Sequence, residues 1–241
     1  MKALILNSGL GHRMGDLTFE HPKCMTEIST RETIIQRQLK LLAEAGIQEV
    51  VITTGYYNDV LVDYCNSLPY DINYTFVYNP IYGQTNYIYS IYCAKEHLRD
   101  QDIVLLHGDL VFEPSVLTDV LECSRSCMKV SSTIPLPEKD FKAVVRNGRV
   151  YKVGVEFFEE AMEAQALYKL NKKEWNIWLD KIEEYCETNR TKCYAEVALN
   201  EITDTCEIFA FDVEERLCSE IDTPEDLEIV KARLAAIEGG E

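Results

Sequence analysis

Four short apolar runs pace the first half of the chain: Ala3-Leu4-Ile5-Leu6, Glu49-Val50-Val51-Ile52-Thr53, Ile72 to Tyr78, and Ile103-Val104-Leu105-Leu106-His107. Each is too short for a helix and rich in residues that favour strands. Helical patterns separate them. Residues 31–45 place Ile35, Leu39 and Leu42 on one face and stop at Gly46, and residues 57–66 and 86–97 predict two more helices. Strands alternating with helices predict a mostly parallel sheet covered by helices.

The pattern changes after a helix at 114–122, where Pro114 suits the first turn. Strands are predicted at 129–134 and 143–146. Asn147-Gly148 then predicts a tight hairpin into Val150-Tyr151-Lys152-Val153, so this part is antiparallel. Residues 156–202 are acidic and aromatic. Trp175, Trp178, Leu179, Ile182 and Cys186 share one face of a helix starting near Asn171, and at that spacing the tryptophans read as core. A short helix at 195–202, a strand at 207–211 and a closing helix after Asp222-Thr223-Pro224 complete the chain, with Leu227, Val230 and Leu234 buried. There is no internal repeat or low-complexity segment, and only the Gly239-Gly240 tail reads as loose.

Directly after the first run stands Leu6-Asn7-Ser8-Gly9-Leu10-Gly11-His12-Arg13-Met14-Gly15, followed by His21-Pro22-Lys23-Cys24-Met25. Glycines let backbone N–H groups approach an anion. Arg13 adds a planar fork for phosphate oxygens and Lys23 a point charge. Met14 occupies the third glycine position of a dinucleotide fingerprint, and no G-x-x-x-x-G-K-[ST] run exists. The segment resembles the G-x-G-x-R-[MF]…P-K signature of sugar-1-phosphate and phosphocholine nucleotidylyltransferases. That resemblance implies a Rossmann-like α/β fold of the GT-A type with a small antiparallel and helical acceptor-binding part. It also implies one domain over 1–241, with a nucleotide-binding half (1–125) and an acceptor-binding half with the closing helix (126–241).

Composition narrows the partners. The net charge of −17 over 241 residues repels nucleic acid and anionic membranes. It repels nucleoside triphosphates too, so a nucleotide site here needs local cations and a divalent metal. Lys2, Arg13, Lys23, Arg31, Arg37 and Lys40 concentrate in the first forty positions, and acidic residues after 155. No apolar run reaches 18 residues, and the N-terminal stretch turns polar too early for a signal peptide. A cytoplasmic location is the expectation. The nine cysteines form no C-x-x-C pair, and Cys123 and Cys127 lack partners for a zinc site, so reduced structural thiols are expected.

Asp109 follows the fourth run in His107-Gly108-Asp109, beyond a strand's carboxyl end, where ligands of open α/β sheets gather. In Glu220-Ile221-Asp222, alternation puts both carboxylates on one side. Asp222 also reads as the N-cap of the last helix. The resemblance implies Mg²⁺ on Asp109, Asp222 and Glu220. The stretch Tyr78 to Ser90 matches the N-x-x-Y…N-x-x-x-S loop of these enzymes, making Asn79, Asn86 and Ser90 nucleotide-side candidates with Leu6, Asn7, Ser8, Gly9, Gly11, Arg13, Lys23 and Asp109. Asn79, Asn86 and Ser90 read equally as loop-ordering residues, with Asn86 an N-cap. Asn7-Ser8 departs from the Ala-Ala or Ala-Gly of many relatives, which leaves CTP against UTP open.

Residues 166–170 and 194–200 resemble the choline-pocket region of bacterial phosphocholine cytidylyltransferases. Aromatic faces and a carboxylate hold ammonium groups, so Tyr168, Tyr194 and Glu196 are the acceptor candidates. Glu196 reads equally as part of a solvated face. The implied reaction transfers CMP from CTP to phosphocholine, 2-aminoethylphosphonate or a similar amine-bearing phosphate or phosphonate, with Lys23 and Arg13 neutralising charge. The acceptor's oxygen is already anionic, so no histidine is assigned a role. A hexose-1-phosphate nucleotidylyltransferase and a non-catalytic nucleotide sensor are the alternatives. Monomer and homodimer both remain open.

Overall fold

The computed structural model describes every residue except Leu10, Arg31, Gly240 and Glu241. The chain starts with β1 (Lys2–Asn7), whose centre is fully buried. A small ribbon, β2 (Glu27–Ser29) and β3 (Glu32–Thr33), comes next and leads into α1 (Ile34–Glu44). That helix starts later than the periodicity predicts, because Thr33 caps it by accepting the Gln36 N–H at 3.2 Å. Arg31, its predicted start, lies outside the described residues. Then come β4 (Glu49–Thr54), α2 (Asn58–Ser67), β5 (Asn73–Tyr78), α3 (Tyr87–Leu98) and β6 (Ile103–His107). Strands β5, β4, β1 and β6 lie side by side, all parallel, as the alternation predicts.

The second half follows with β7 (Leu110–Phe112), α4 (Pro114–Glu122), β8 (Cys127–Ser131), β9 (Lys142–Arg146) and β10 (Arg149–Gly154). Asn147 and Gly148 both sit at positive φ between β9 and β10, which makes the predicted hairpin turn. Next are β11 (Ala161–Leu170), α5 (Lys172–Glu187), α6 (Ala195–Leu199), β12 (Phe209–Asp212), β13 (Cys218–Glu220) and α7 (Pro224–Glu238). The main sheet runs β5-β4-β1-β6-β11-β8-β12-β10-β9. Here pairing becomes mixed: β11 runs antiparallel to β6, β8 and β9. The strand expected at 129–134 spans 127–131, since Ser131 turns the chain by accepting the Thr133 and Ile134 amides.

Three apolar clusters hold these layers. One packs α3, α5 and α6 on one face of the sheet, with Trp175 and Trp178 fully buried. Their indole N–H groups donate to the carbonyls of Leu98 and Ala195 at 2.9 and 3.0 Å, so the tryptophans are core. A second packs α1, α2 and α4 on the other face. The third seats α7 against Met14, Ile28, Val111 and Ile221. This last contact fixes the ribbon of β7 and β13, in which Glu220 pairs with Leu110. No helix among the described residues is long and apolar enough to cross a membrane. All nine cysteines are free.

Candidate active site

The carboxyl ends of β1 and β6 lie side by side, and the chain leaves each through a glycine-containing turn. Gly108 N–H donates to Leu6 O at 3.1 Å, which ties the two turns together. A Cβ on Gly108 would stand 1.6 Å from Asn7 Oδ1, so only glycine admits the Asn7 side chain here. Beyond Gly108, the Asp109 carbonyl accepts the Ile221 N–H at 3.0 Å, continuing the β7–β13 pairing by one step. Two carboxylates far apart in sequence, Asp109 and Asp222, are thereby delivered to one edge.

Asp222 is not the N-cap of α7. Thr223 holds that position, accepting the Asp226 N–H at 3.2 Å, while Asp226 accepts the amides of Asp222 and Thr223 at 3.1 and 2.8 Å. Capping falls one residue later than expected, and the Asp222 carboxylate is left to face the cleft.

Lys23 opens a short turn between extended Pro22 and buried Cys24. With the Cys24 side chain anchored in the core, Lys23 reaches into the cleft. Its Nζ binds Asp109 Oδ2, and Asp222 Oδ1 at 2.6 Å. Arg13 Nη2 reaches the same Asp222 oxygen at 2.9 Å. The early cations and late carboxylates therefore meet. Burial opposes the charged form of Lys23, but Asp109 and Asp222 outweigh it and raise its pKa. Burial likewise opposes ionisation of Asp109, and the charges of Lys23 and His107 overcome it, lowering its pKa.

His107 is a cleft-lining residue that motif reasoning misses. Its Nδ1 lies 2.8 Å from Glu220 Oε1, and its ring packs edge-on against Tyr87 at 4.8 Å. Burial pulls its pKa down, yet the hydrogen bond to Glu220 and the charges of Glu220, Asp109 and Glu196 push it up to about 9. Burial and the Asp109 charge push the Glu220 carboxyl up, against the pull of His107. The only signal in the sequence is its place, two residues before Asp109.

Two joined cavities occupy this edge. One of about 350 Å³ is lined by Leu6, Asn7, Gly9, Gly11, Arg13 and Lys23 on one side and Gly108, Asp109 and Asp222 on the other. The next, about 180 Å³, shares Leu6, Gly9 and Asp109 and adds Ser8, Asn79, Asn86, Tyr87, Ser90 and His107. Within it, Asn79 is fully committed to ordering its loop: Nδ2 donates to Thr85 Oγ1 and Ser90 Oγ at 3.1 and 3.0 Å, and Oδ1 accepts the Ile81 amide at 3.0 Å. Asn86 caps α3 by accepting the Tyr87 N–H at 2.8 Å. Among the described residues, four buried polar atoms around the shared wall have no protein partner: Asn7 Nδ2, Ser8 Oγ, His107 Nε2 and Asp109 Oδ1. Buried polar groups are normally paired, so an unpaired group here is a place for a ligand atom.

The acceptor candidates separate. Tyr194 is half-exposed and lies against Tyr87 at 5.7 Å and Phe141 at 5.1 Å. None of the three lines these cavities, and Tyr168 and Glu196 are buried. Glu196 accepts hydrogen bonds from the hydroxyls of Tyr87 and, at 3.0 Å, Tyr168, so it anchors Tyr87 from behind. Tyr87 is the wall residue that the sequence pattern does not single out.

The donor set suits a hard divalent cation. Asp109 offers an unpartnered oxygen, Asp222 stands across Lys23, and the ligand atoms of His107, Asp109 and Glu220 lie within 4.8 Å of one another. The Lys23 ammonium already balances two of these carboxylates.

Known proteins resemble this chain in sequence and fold. The chain is 38% identical over 117 residues to the CTP:phosphoglutamine cytidylyltransferase of Campylobacter jejuni, a match covering 46% of this chain and 45% of that one. It is 35% identical over 136 residues to the CMP-5'-(3-aminopropyl)phosphonate synthase of Streptomyces rubellomurinus, covering 56% and 21%. The chain thus spans less than half the length of these curated relatives. The solved CTP:phosphocholine cytidylyltransferase of Streptococcus pneumoniae superposes with a TM-score of 0.76 over 97% of this chain and 98% of that one, at 20% identity, and shares the fold. Residues 3–150, which carry the glycine loop, Lys23 and Asp109, match one domain family throughout, and the chain belongs to it: the MobA-like NTP transferase domain family.

Proposed function

We propose that the protein transfers CMP from CTP to a small phosphate or phosphonate that carries an amine, releasing pyrophosphate. The observation that carries this reading is the ammonium of Lys23 held between Asp109 and Asp222 beneath the glycine loop. A polyanion is tolerated in so acidic a chain only where cations are concentrated, and Arg13 and Lys23 concentrate here. The names of the relatives support cytidylyl transfer to phosphorylated or phosphonate acceptors.

In this reaction an acceptor oxygen forms a bond to the α-phosphorus, and the bond from that phosphorus to the α,β-bridging oxygen breaks, that oxygen leaving with pyrophosphate. The attacking oxygen is already anionic near neutral pH, because a phosphate monoester's second pKa is about 6. No residue has to take a proton. The chain's work is alignment and charge neutralisation. Arg13 and the loop N–H groups hold the β- and γ-phosphates, and Lys23 faces the transferring phosphoryl group. Asp109 and Asp222, with Glu220 beside them, would hold Mg²⁺, which supplies further neutralisation of the phosphate oxygens when bound. Asn79, Asn86 and Ser90 order the loop along the nucleoside end, where Asn7 and Ser8 have free polar atoms. The acceptor's ammonium lies against Tyr87 and Tyr194, whose ring faces attract a cation.

A pyrophosphate-release screen tests the proposal. CTP, UTP, dTTP and GTP are each paired with phosphocholine, 2-aminoethylphosphonate, amino-acid phosphates and glucose-1-phosphate. Release with CTP and an amine-bearing acceptor is the expected result. Release only with a hexose phosphate assigns the protein to nucleotide-sugar synthesis, and CTP binding without release makes it a nucleotide sensor.

A further inference from the structure

Helix α1 turns apolar residues inward at Ile34, Ile35, Leu39 and Leu42, but it also buries two polar ones. Gln38 is 1% exposed. Its side-chain amide donates to the carbonyl of His107 at 2.9 Å and to that of Leu110 at 2.7 Å. These carbonyls flank Gly108 and Asp109, so one amide group spans the turn that presents the carboxylate. Arg37 grips the next stretch, donating from Nε to Phe112 O at 3.2 Å. Its Nη1 binds Glu32 and, at 2.9 Å, Glu238 near the end of α7, the helix that follows Asp222. Burying an amide and a guanidinium is unfavourable without partners, and a leucine would serve plain packing at either place. The partners of Gln38 Nε2 and of Arg37 are all main-chain or side-chain groups of the two segments that bear the carboxylates, or of the ribbon before α1, while Gln38 Oε1 is buried without a partner among the described residues.

We propose that Gln38, backed by Arg37, is a positioning residue that sets the Asp109 carboxylate opposite Lys23 and Asp222. The inference rests on the proposed role of Asp109 in nucleotidyl transfer. Gln38 touches neither cavity; it acts through the His107–Leu110 turn. Without its two donors the turn can relax, and Asp109 loses its register with Asp222. The grip of Arg13 and the loop amides on the nucleotide comes from other elements and is unaffected. The signature is a fall in kcat with KM for CTP preserved.

Wild type, Gln38→Met and Gln38→Glu are compared in three measurements: thermal midpoint, kcat and KM in pyrophosphate release, and Mn²⁺ affinity with α,β-methylene-CTP, read from the resonance of free Mn²⁺. Met keeps the side-chain length without donors, and Glu replaces the donating nitrogen by an oxygen. Orienting residues behind metal ligands are worth roughly 10–100-fold in affinity or activity, and that loss of kcat and of Mn²⁺ affinity is expected in both variants. At saturating Mg²⁺ the KM for CTP is expected within about twofold of wild type, because Arg13 and the loop amides that hold the nucleotide are untouched. A folded variant with wild-type turnover and Mn²⁺ affinity overturns the proposal, as does a kcat loss matched by an equal rise in KM. If Gln38→Met does not fold, Gln38→Glu is judged by the same criteria. If the wild type releases no pyrophosphate but the variants still bind Mn²⁺ more weakly, the transfer reading fails and the positioning role stands.

Discussion

Lys23 Nζ lies 2.6 Å from Asp222 Oδ1 across 199 positions of sequence, and the same ammonium binds Asp109. One lysine therefore closes the cleft electrostatically. Replacing it by methionine is expected to lower kcat by at least ~10²-fold, the scale of losing one aligned electrostatic contact. The same change removes the charge that balances Asp109 and Asp222. Nucleotide-free Lys23→Met protein is therefore expected to bind Mg²⁺ more tightly than wild type in calorimetric titration.

The His107–Glu220 contact predicts a pH dependence of stability. The folded imidazole has its pKa pushed up to about 9 from an ordinary 6.5. A raised histidine stabilises the fold fully below pH 6.5, and that contribution is lost as pH climbs through about 9. It amounts to at most about 3 kcal/mol. The melting temperature of wild type is expected to fall more between pH 6.5 and 9 than that of His107→Gln.

Gly108 and Asn7 form a steric pair. Gly108→Ala places a methyl group on the Asn7 side chain, and overpacking of this kind costs about 1–3 kcal/mol. Asn7→Ala in the same chain removes the obstacle. Urea denaturation is expected to show a destabilised single variant and recovery of most of the loss in the double variant.

Tyr57 straps the glycine loop. Its hydroxyl donates to Phe19 O at 2.6 Å, with Thr18 O at 3.2 Å, and Thr18 Oγ1 in turn donates to Gly11 O at 3.2 Å. Tyr57→Phe frees the loop without emptying the ring's place. The expected outcome is a KM for CTP raised several-fold, about 1 kcal/mol or one hydrogen bond's worth, with little change in melting temperature.

Strands β1, β4 and β6 are legible because each is a short apolar run buried on both faces, the half-buried edge strand β5 because β-favouring residues fill it, and the glycine loop because cations at fixed spacing are rare by chance. Strand β11 is not legible. Its sequence Ala161–Leu170 contains Glu163, Gln165 and Lys169, all buried, which reads as surface. Only the fold reveals that Lys129 on β8 neutralises Glu163. Gln38 hides in the same way, since a lone glutamine on a helix ordinarily faces water. Asp222 and Thr223 illustrate a one-residue ambiguity: either can cap a helix by composition, and only the Asp226 carboxylate decides it. Tyr168 on β11 and Glu196 on α6 share the pocket's chemistry but are buried behind it, leaving Tyr87 at the wall with Tyr194 packed against it.

The place of β11 between β6 and β8 has a consequence for how the molecule is born. The outer edge of β6 stays open until residue 170 has left the ribosome, well after the parallel strands can assemble. During that interval the nascent sheet offers an unpaired edge to any neighbouring chain. Long-range pairing of this sort is slow, so chaperone dependence and inclusion-body formation at high expression are the expected liabilities of this topology.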